Sequence, residues 1–232
     1  MMKNKQYNIE NLNVLYEYNH LLVIEKPINV LSQKDNTNDF DINEIVKEYL
    51  KIKYNKEGNV YLGLIHRLDR RVGGVLVLAK TSKAASRLSE DIRNNNFEKK
   101  YIAKTCGEII NDGSINVKIK KDEKTKKAIV SNYGKMSSLD YNIINYDNNN
   151  TYVLVNLHTG RYNQIRVSFS HINHPLINDY KYNKNCNVNN NELGLWCYKI
   201  TITHPISKEK ITFECLPKGK IWNNLQIDKI YK

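Results

Sequence analysis

The stretch from Leu64 to Lys80, LIHRLDRRVGGVLVLAK, decides how the rest of this 232-residue chain is read. A single aspartate, Asp69, stands between His66-Arg67 and Arg70-Arg71, and two glycines then lead into an apolar run. Cations fixed on both sides favour the ionised carboxylate. A carboxylate held as an anion can serve as a nucleophile or as an electrostatic stabiliser; read locally, it can equally do no more than cap a turn. Gly74 to Ala79 reads as a continuous apolar strand. A helix follows, capped by Thr81 or Ser82, with Ala84, Ala85, Leu88 and Ile92 on one face.

Outward from this segment the pattern is mostly β. Val14 to Tyr18 and Leu21 to Lys26, broken by Asn19-His20, predict a hairpin ended by Pro27. Phe40 to Lys53 carries Ile42, Ile45, Val46, Tyr49 and Leu50 at helical spacing, with Asp41 or Asn43 near its start. Strands are expected near Tyr101 to Thr105, Ile115 to Ile119, Ala128 to Ser131, Leu139 to Asn145 and Tyr152 to Asn156. Asp147 to Asn150 predicts a hairpin tip, and Asn183 to Asn191 an asparagine-rich loop. Gln164 to His171 reads as a helix, and Trp196 to Thr203 with Lys210 to Cys215 as a closing hairpin. No repeat of 20 to 50 residues is visible.

Composition sets limits. The length suffices for one sizeable core, or for two lobes sharing a sheet. Lysine and arginine number 36 against 24 acidic residues, a formal charge of +12. A polyanionic partner explains that excess economically, and a solvated lysine-rich surface is the plainer alternative. No stretch approaches the roughly 18 apolar residues of a membrane span, and the start, Met1-Met2-Lys3-Asn4-Lys5, lacks the apolar core of a signal peptide. The expectation is a cytoplasmic monomer with no membrane contact. Cys106, Cys186, Cys197 and Cys215 are too far apart for C-x-x-C knuckles and read as reduced structural residues. His171 and His174 lack a nearby acidic or cysteine ligand, so no metal is assigned. Neither a phosphate-binding loop G-x-x-x-x-G-K-[ST] nor a G-x-G-x-x-G turn is present.

Two more segments give Asp69 its meaning. One is Lys99-Lys100-Tyr101-Ile102-Ala103; the other is Leu157-His158-Thr159-Gly160-Arg161-Tyr162-Asn163-Gln164-Ile165-Arg166. With His66-Arg67-Leu68-Asp69 they resemble, in kind, order and spacing, the three motifs of the RluA-type RNA pseudouridine synthases. The flanks agree: Leu15-Tyr16-Glu17 through Lys26-Pro27 resembles that family's opening hairpin. His174-Pro175-Leu176-Ile177-Asn178-Asp179 and Leu195-Trp196 through His204-Pro205 resemble its closing segments. The resemblance runs over residues 14 to 216. It implies residues 1 to 13 as an N-terminal extension and 14 to 232 as the catalytic domain, without the small RNA-binding module that many relatives carry ahead of it.

The implied fold is α+β: a mainly antiparallel mixed β-sheet with peripheral helices, and a basic cleft with Asp69 on a loop at its floor. The implied activity is isomerisation of a specific uridine to pseudouridine in structured RNA, ribosomal or transfer, without a cofactor. The N-glycosidic bond breaks, the uracil turns, and C5 joins C1′. Asp69 takes the nucleophile position; attack on C1′, addition to the ring and a glycal route all remain open to it. Tyr101 offers an aromatic face to the extruded uracil and a phenolic oxygen for the C5 proton. Arg166 is expected to pair with Asp69. Arg67 enters the RNA where the base leaves, and Arg70, Arg71, Arg161, Gln164, Lys120 and Lys121 are expected RNA contacts. The segment 118–127, KIKKDEKTKK, reads as a hairpin whose tip projects lysines.

The chain departs from the family pattern twice. Val72-Gly73-Gly74 stands where Thr-Ser-Gly is usual, keeping the last glycine, and Tyr162-Asn163 stands where Thr-His is usual, with Asn163 expected to cap the next helix. These departures motivate the alternative of a non-catalytic RNA-binding or ribosome-assembly protein that retains the fold. A DNA-binding regulator has no helix-turn-helix or zinc-finger spacing to support it.

Overall fold

The structure is a computed structural model and describes residues 8–35, 39–185 and 192–231. Cys186 and the end of the asparagine-rich loop lie outside the described residues. The chain divides into two units: Met1–Phe97 with Lys199–Leu216, and Glu98–Tyr198 with Pro217–Lys232. Among the described residues no helix is long and apolar enough to cross a membrane.

In the first unit, β1 (Asn13–Tyr18) and β2 (Leu21–Lys26) form the expected hairpin, with Tyr18 opposite Leu21. β2 then pairs antiparallel with β4 (Gly73–Ala79), whose other edge takes the two-residue β3 (Gly63–Leu64). Both β2 and β4 are buried along their whole length: β4 is an unbroken apolar run, and β2 buries Glu25 and Lys26 after its four apolar residues. Gly74 sits at φ +119°, so the glycine retained from the family pattern is demanded by the backbone. Helix α1 (Ile42–Lys53) is capped by Asp41, whose carboxylate accepts the Glu44 N–H at 2.8 Å, and buries Ile42, Ile45, Val46 and Leu50. Helix α2 (Ser82–Arg93) is capped by Thr81 and buries Ala84 and Leu88.

One ion cluster binds β1 to α1 and β4. The Glu17 carboxylate accepts from Tyr49 (2.8 Å), Lys53 (2.7 Å), Tyr54 (2.6 Å) and Lys80 (2.8 Å). Burial works to raise its pKa, and those four donors together overcome it and bring it to about 2. A carboxylate depressed on folding stabilises the protein above its unfolded value near 4.5, and that stability is lost as pH falls towards 2. Glu17→Gln is therefore expected to flatten acid unfolding over that window, read by far-ultraviolet circular dichroism against pH.

The second unit is antiparallel, with its strands in the order β5-β9-β8-β6-β7 rather than in chain order. β5 (Glu98–Cys106) pairs with β9 (Asn150–Leu157), β9 with β8 (Lys135–Tyr146), β8 with β6 (Gly113–Asp122), and β6 with β7 (Lys127–Val130), all antiparallel. The β8–β9 tip carries Asn148 and Asn149 at φ +45° and +59°, the left-handed pair of a tight hairpin turn. β10 (Leu195–Thr203) begins in the second unit and ends in the first, where it pairs antiparallel with β11 (Lys210–Glu214). Helix α3 (Gln164–His171) keeps the expected limits, with a seam of Val167, Ile119 and Ala128 beneath it. Each described register is antiparallel and the helices are peripheral, which meets the expectation of an α+β fold.

Candidate active site

Asp69 lies half-buried on the loop 65–72 between β3 and β4, and neighbouring groups hold that loop from several sides. The Ser32 hydroxyl donates to the Leu68 carbonyl at 2.7 Å and accepts the Leu68 N–H at 3.1 Å, both buried. The Val72 N–H returns to the Asp69 carbonyl at 3.0 Å and closes a turn. His66 Nε2 accepts the Val77 N–H at 3.1 Å, while its ring packs 5.4 Å from Phe97.

Lys26 has no exposed surface, and its ammonium donates to Pro27 O (2.8 Å), Val30 O (2.7 Å) and Arg70 O (3.3 Å). The three carbonyls replace water and tie β2 to the peptide that follows Asp69. Burial pushes the Lys26 pKa down to about 7; the Asp69 charge works against that and the Arg70 charge with it. A lysine depressed from 10.5 carries the full cost of its buried charge below about pH 7 and is relieved as pH climbs to 10.5. Wild-type stability should accordingly gain up to roughly 3 kcal/mol between pH 7 and 9.5 relative to Lys26→Met. Urea titrations of both proteins across that range check the difference. The variant should also turn over more slowly, because the Arg70 carbonyl loses its anchor.

Of the arginines around Asp69, Arg67 is exposed. Arg70 Nη1 meets Asp39 Oδ2 at 2.6 Å in a pair about one third exposed on each side. Such a pair contributes at most about 1 kcal/mol, so a phosphate can compete for it.

The other motif residues lie in the second unit. Tyr101 lies in β5 opposite Val155, 6 % exposed. Its side chain hydrogen-bonds the thiol of Cys197, which burial pushes up to about 12 and which Tyr101 and Lys99 pull back only in part. Lys99 is lowered by its own burial and raised by Cys197. Its Nζ lies 3.6 Å from where a Cβ on Gly160 would sit, so the second and third motifs adjoin there.

Arg166, on α3, is 5 % exposed, and one carboxylate on its guanidinium is that of Asp179, with no exposure at all. Nε donates to Oδ2 at 2.8 Å and Nη2 to Oδ1 at 2.6 Å, the two-pronged geometry of strong arginine–carboxylate pairs. The Tyr182 ring lies 5.2 Å from the guanidinium carbon. Asp179 was visible in sequence only as the end of a closing segment, and neither it nor Tyr182 nor Lys26 carried a predicted role. Their signal is spatial.

Asn163 corrects one expectation. It occupies the position before α3, but at φ +50° its side chain makes no cap; a capping side chain needs an extended backbone there. Asn163 Nδ2 instead donates to the Tyr182 hydroxyl at 3.1 Å, and that hydroxyl also accepts the Ala128 N–H at 2.7 Å. Gln164, expected at the RNA, is 3 % exposed. Its Oε1 accepts from Thr159 (2.8 Å) and from the Arg161 N–H (3.0 Å), and its Nε2 donates to Ser138 O (3.1 Å). It shapes the turn that presents Arg161, which is exposed with Nε on Met136 O at 3.0 Å.

The basic segment forms the predicted hairpin of β6 and β7. Asp122 turns its tip by accepting the Lys124 N–H (2.9 Å) and the Thr125 hydroxyl (2.8 Å). Lys118 and Lys120 project outward opposite the buried Ile119.

Known proteins resemble this chain in sequence and in fold. The family described as RNA pseudouridylate synthase matches residues 20–171, a span that contains Asp69, Tyr101 and Arg166. This chain belongs to that family. It is 32 % identical over 213 residues to the "Ribosomal large subunit pseudouridine synthase C" of Buchnera aphidicola subsp. Schizaphis graminum, covering 86 % of this chain and 65 % of that protein. It is also 32 % identical over 174 residues to the "Ribosomal large subunit pseudouridine synthase D" of Yersinia pestis, covering 74 % and 52 %. The chain thus spans less than two thirds of the length of these relatives. The solved structure of human RNA Pseudouridylate Synthase Domain Containing 1 shares the fold, with a TM-score of 0.74 at 20 % identity over 92 % of this chain and 86 % of that one.

Proposed function

We propose that this chain isomerises a specific uridine of structured RNA to pseudouridine, with Asp69 as the catalytic nucleophile. The observation that carries the reading is the loop 65–72, in which Ser32, Lys26 and His66 fix the backbone around Asp69. A nucleophile held in one place does not spend entropy finding its substrate. Ribosomal RNA is the favoured substrate, because the relatives of this chain carry that substrate in their names.

In the reaction the N1–C1′ bond breaks, C5 joins C1′, the proton on C5 leaves and N1 gains one. Nothing is oxidised or hydrolysed, so side chains suffice. Asp69 begins glycosidic cleavage, Tyr101 faces the uracil with its ring oriented through Cys197, and Arg166 supplies fixed positive charge from α3. Arg67 fills the space vacated by the flipped base. Arg70, Arg71 and Arg161 meet phosphates. Release of tritium from C5-labelled uridine in ribosomal RNA tests the reading. Release with time supports it, and none from ribosomal or transfer RNA would favour a binding protein that keeps the fold.

The β6–β7 hairpin should add phosphate contacts. Replacing Lys120, Lys121, Lys124 and Lys126 with Ser is expected to weaken binding to many RNAs alike. Each lost contact should lower the slope of log K against log salt by roughly 0.7 to 0.9. An unchanged slope would leave the hairpin in solvent.

A further inference from the structure

Tyr162 is one of the two places where the third motif departs from its family, and its surroundings suggest what the change supplies. Its ring is 40 % exposed, on the turn that leads into α3. The Lys121 ammonium, on the hairpin, lies 5.8 Å from the ring centre and the Lys181 ammonium, two residues after Asp179, lies 5.9 Å from it. At that distance a cation is only weakly held by an aromatic ring.

Nor are the two ammoniums held strongly elsewhere. Lys121 meets Glu123 at 3.0 Å, with side chains 42 % and 69 % exposed, a pairing worth little in water. Lys181 has no ion pair among the described residues. The remaining carboxylates nearby are committed: Asp122 turns the hairpin tip and Asp179 holds Arg166. An exposed aromatic ring with two available cations close to it suits one nucleotide of RNA, with its base on the ring and its phosphate on the ammoniums.

We propose that Tyr162, Lys121 and Lys181 form an RNA subsite in which a base flanking the target stacks on Tyr162 and the adjoining phosphate is held by the two lysines. The threonine usual at this position has no ring to offer, so the subsite distinguishes this chain from the family pattern. The proposal rests on RNA being the substrate. The phenol has a second contact, its hydroxyl reaching the Lys126 carbonyl at 3.3 Å, which by itself would make Tyr162 a strut for the hairpin.

Three variants separate these roles: Tyr162→Thr removes the ring, Tyr162→Phe removes only the hydroxyl, and Lys181→Gln removes one cation. Affinity for a 12-nucleotide oligouridylate is measured by fluorescence anisotropy across a salt series, and KM by tritium release from ribosomal RNA. Tyr162→Thr should weaken oligouridylate binding by roughly 5- to 100-fold and raise KM, as the loss of one stacked base requires. Tyr162→Phe should bind close to wild type, and Lys181→Gln should reduce the salt slope by about 0.7. Unchanged affinity in Tyr162→Thr overturns the subsite, as does equal damage from Tyr162→Phe, which would mark the residue as a strut. Binding is read without turnover, so a wild-type protein that binds through Tyr162 yet releases no tritium would sink the isomerase reading and leave the subsite standing.

Discussion

Asp69→Asn should release tritium from C5-labelled uridine at less than about one thousandth of the wild-type rate, a loss of more than about 4 kcal/mol in transition-state stabilisation. The amide keeps the shape of the carboxylate and loses both its charge and its nucleophilicity. The loop itself is held by contacts that the substitution does not touch: Ser32 with the Leu68 peptide, Lys26 with the Arg70 carbonyl, and the Asp69 carbonyl with the Val72 N–H. Melting temperature and RNA affinity should therefore stay near those of wild type. Equal turnover in the two proteins would remove Asp69 from the chemistry.

Arg166→Met is expected to be the most damaging change outside the apolar core, and it acts twice. It leaves the fully buried Asp179 carboxylate without its two-pronged partner, and breaking such a pair costs about 3 to 5 kcal/mol. In a chain of this length that lowers the melting temperature by roughly 10 °C. It also removes the cation from α3. A second substitution separates the effects, because replacing both members of a buried pair with apolar residues is often close to neutral in stability. Arg166→Met with Asp179→Leu should recover much of the lost melting temperature and none of the turnover. A single Arg166→Met variant that melts like wild type would show that the pair contributes little. Recovery of turnover in the double variant would make Arg166 purely structural.

Features that sequence carries locally were legible. The apolar run that became β4, the Thr81 cap and its helix, the β1–β2 hairpin and the limits of α3 each follow from periodicity or from a capping residue within a few positions. The motif residues Asp69, Tyr101 and Arg166 could be picked out by order and spacing, but what holds them could not. Asp179 lies 13 positions beyond Arg166, across a turn, so no helical or strand period links the two. Lys26 looks like an ordinary strand-end lysine until its ammonium is seen reaching Arg70, 44 positions away. Asn163 was misjudged because residue type suggested a cap where the left-handed backbone forbids one. Tyr182 joins Ala128, Asn163 and Arg166 from three parts of the chain, a convergence that only the folded chain creates.

The most direct test is a map of pseudouridines in ribosomal and transfer RNA from cells with and without this gene. The account predicts that at least one ribosomal pseudouridine disappears in the deletion strain, returns with the wild-type gene and stays absent with Asp69→Asn. Identical maps in the two strains, or restoration by Asp69→Asn, would contradict it.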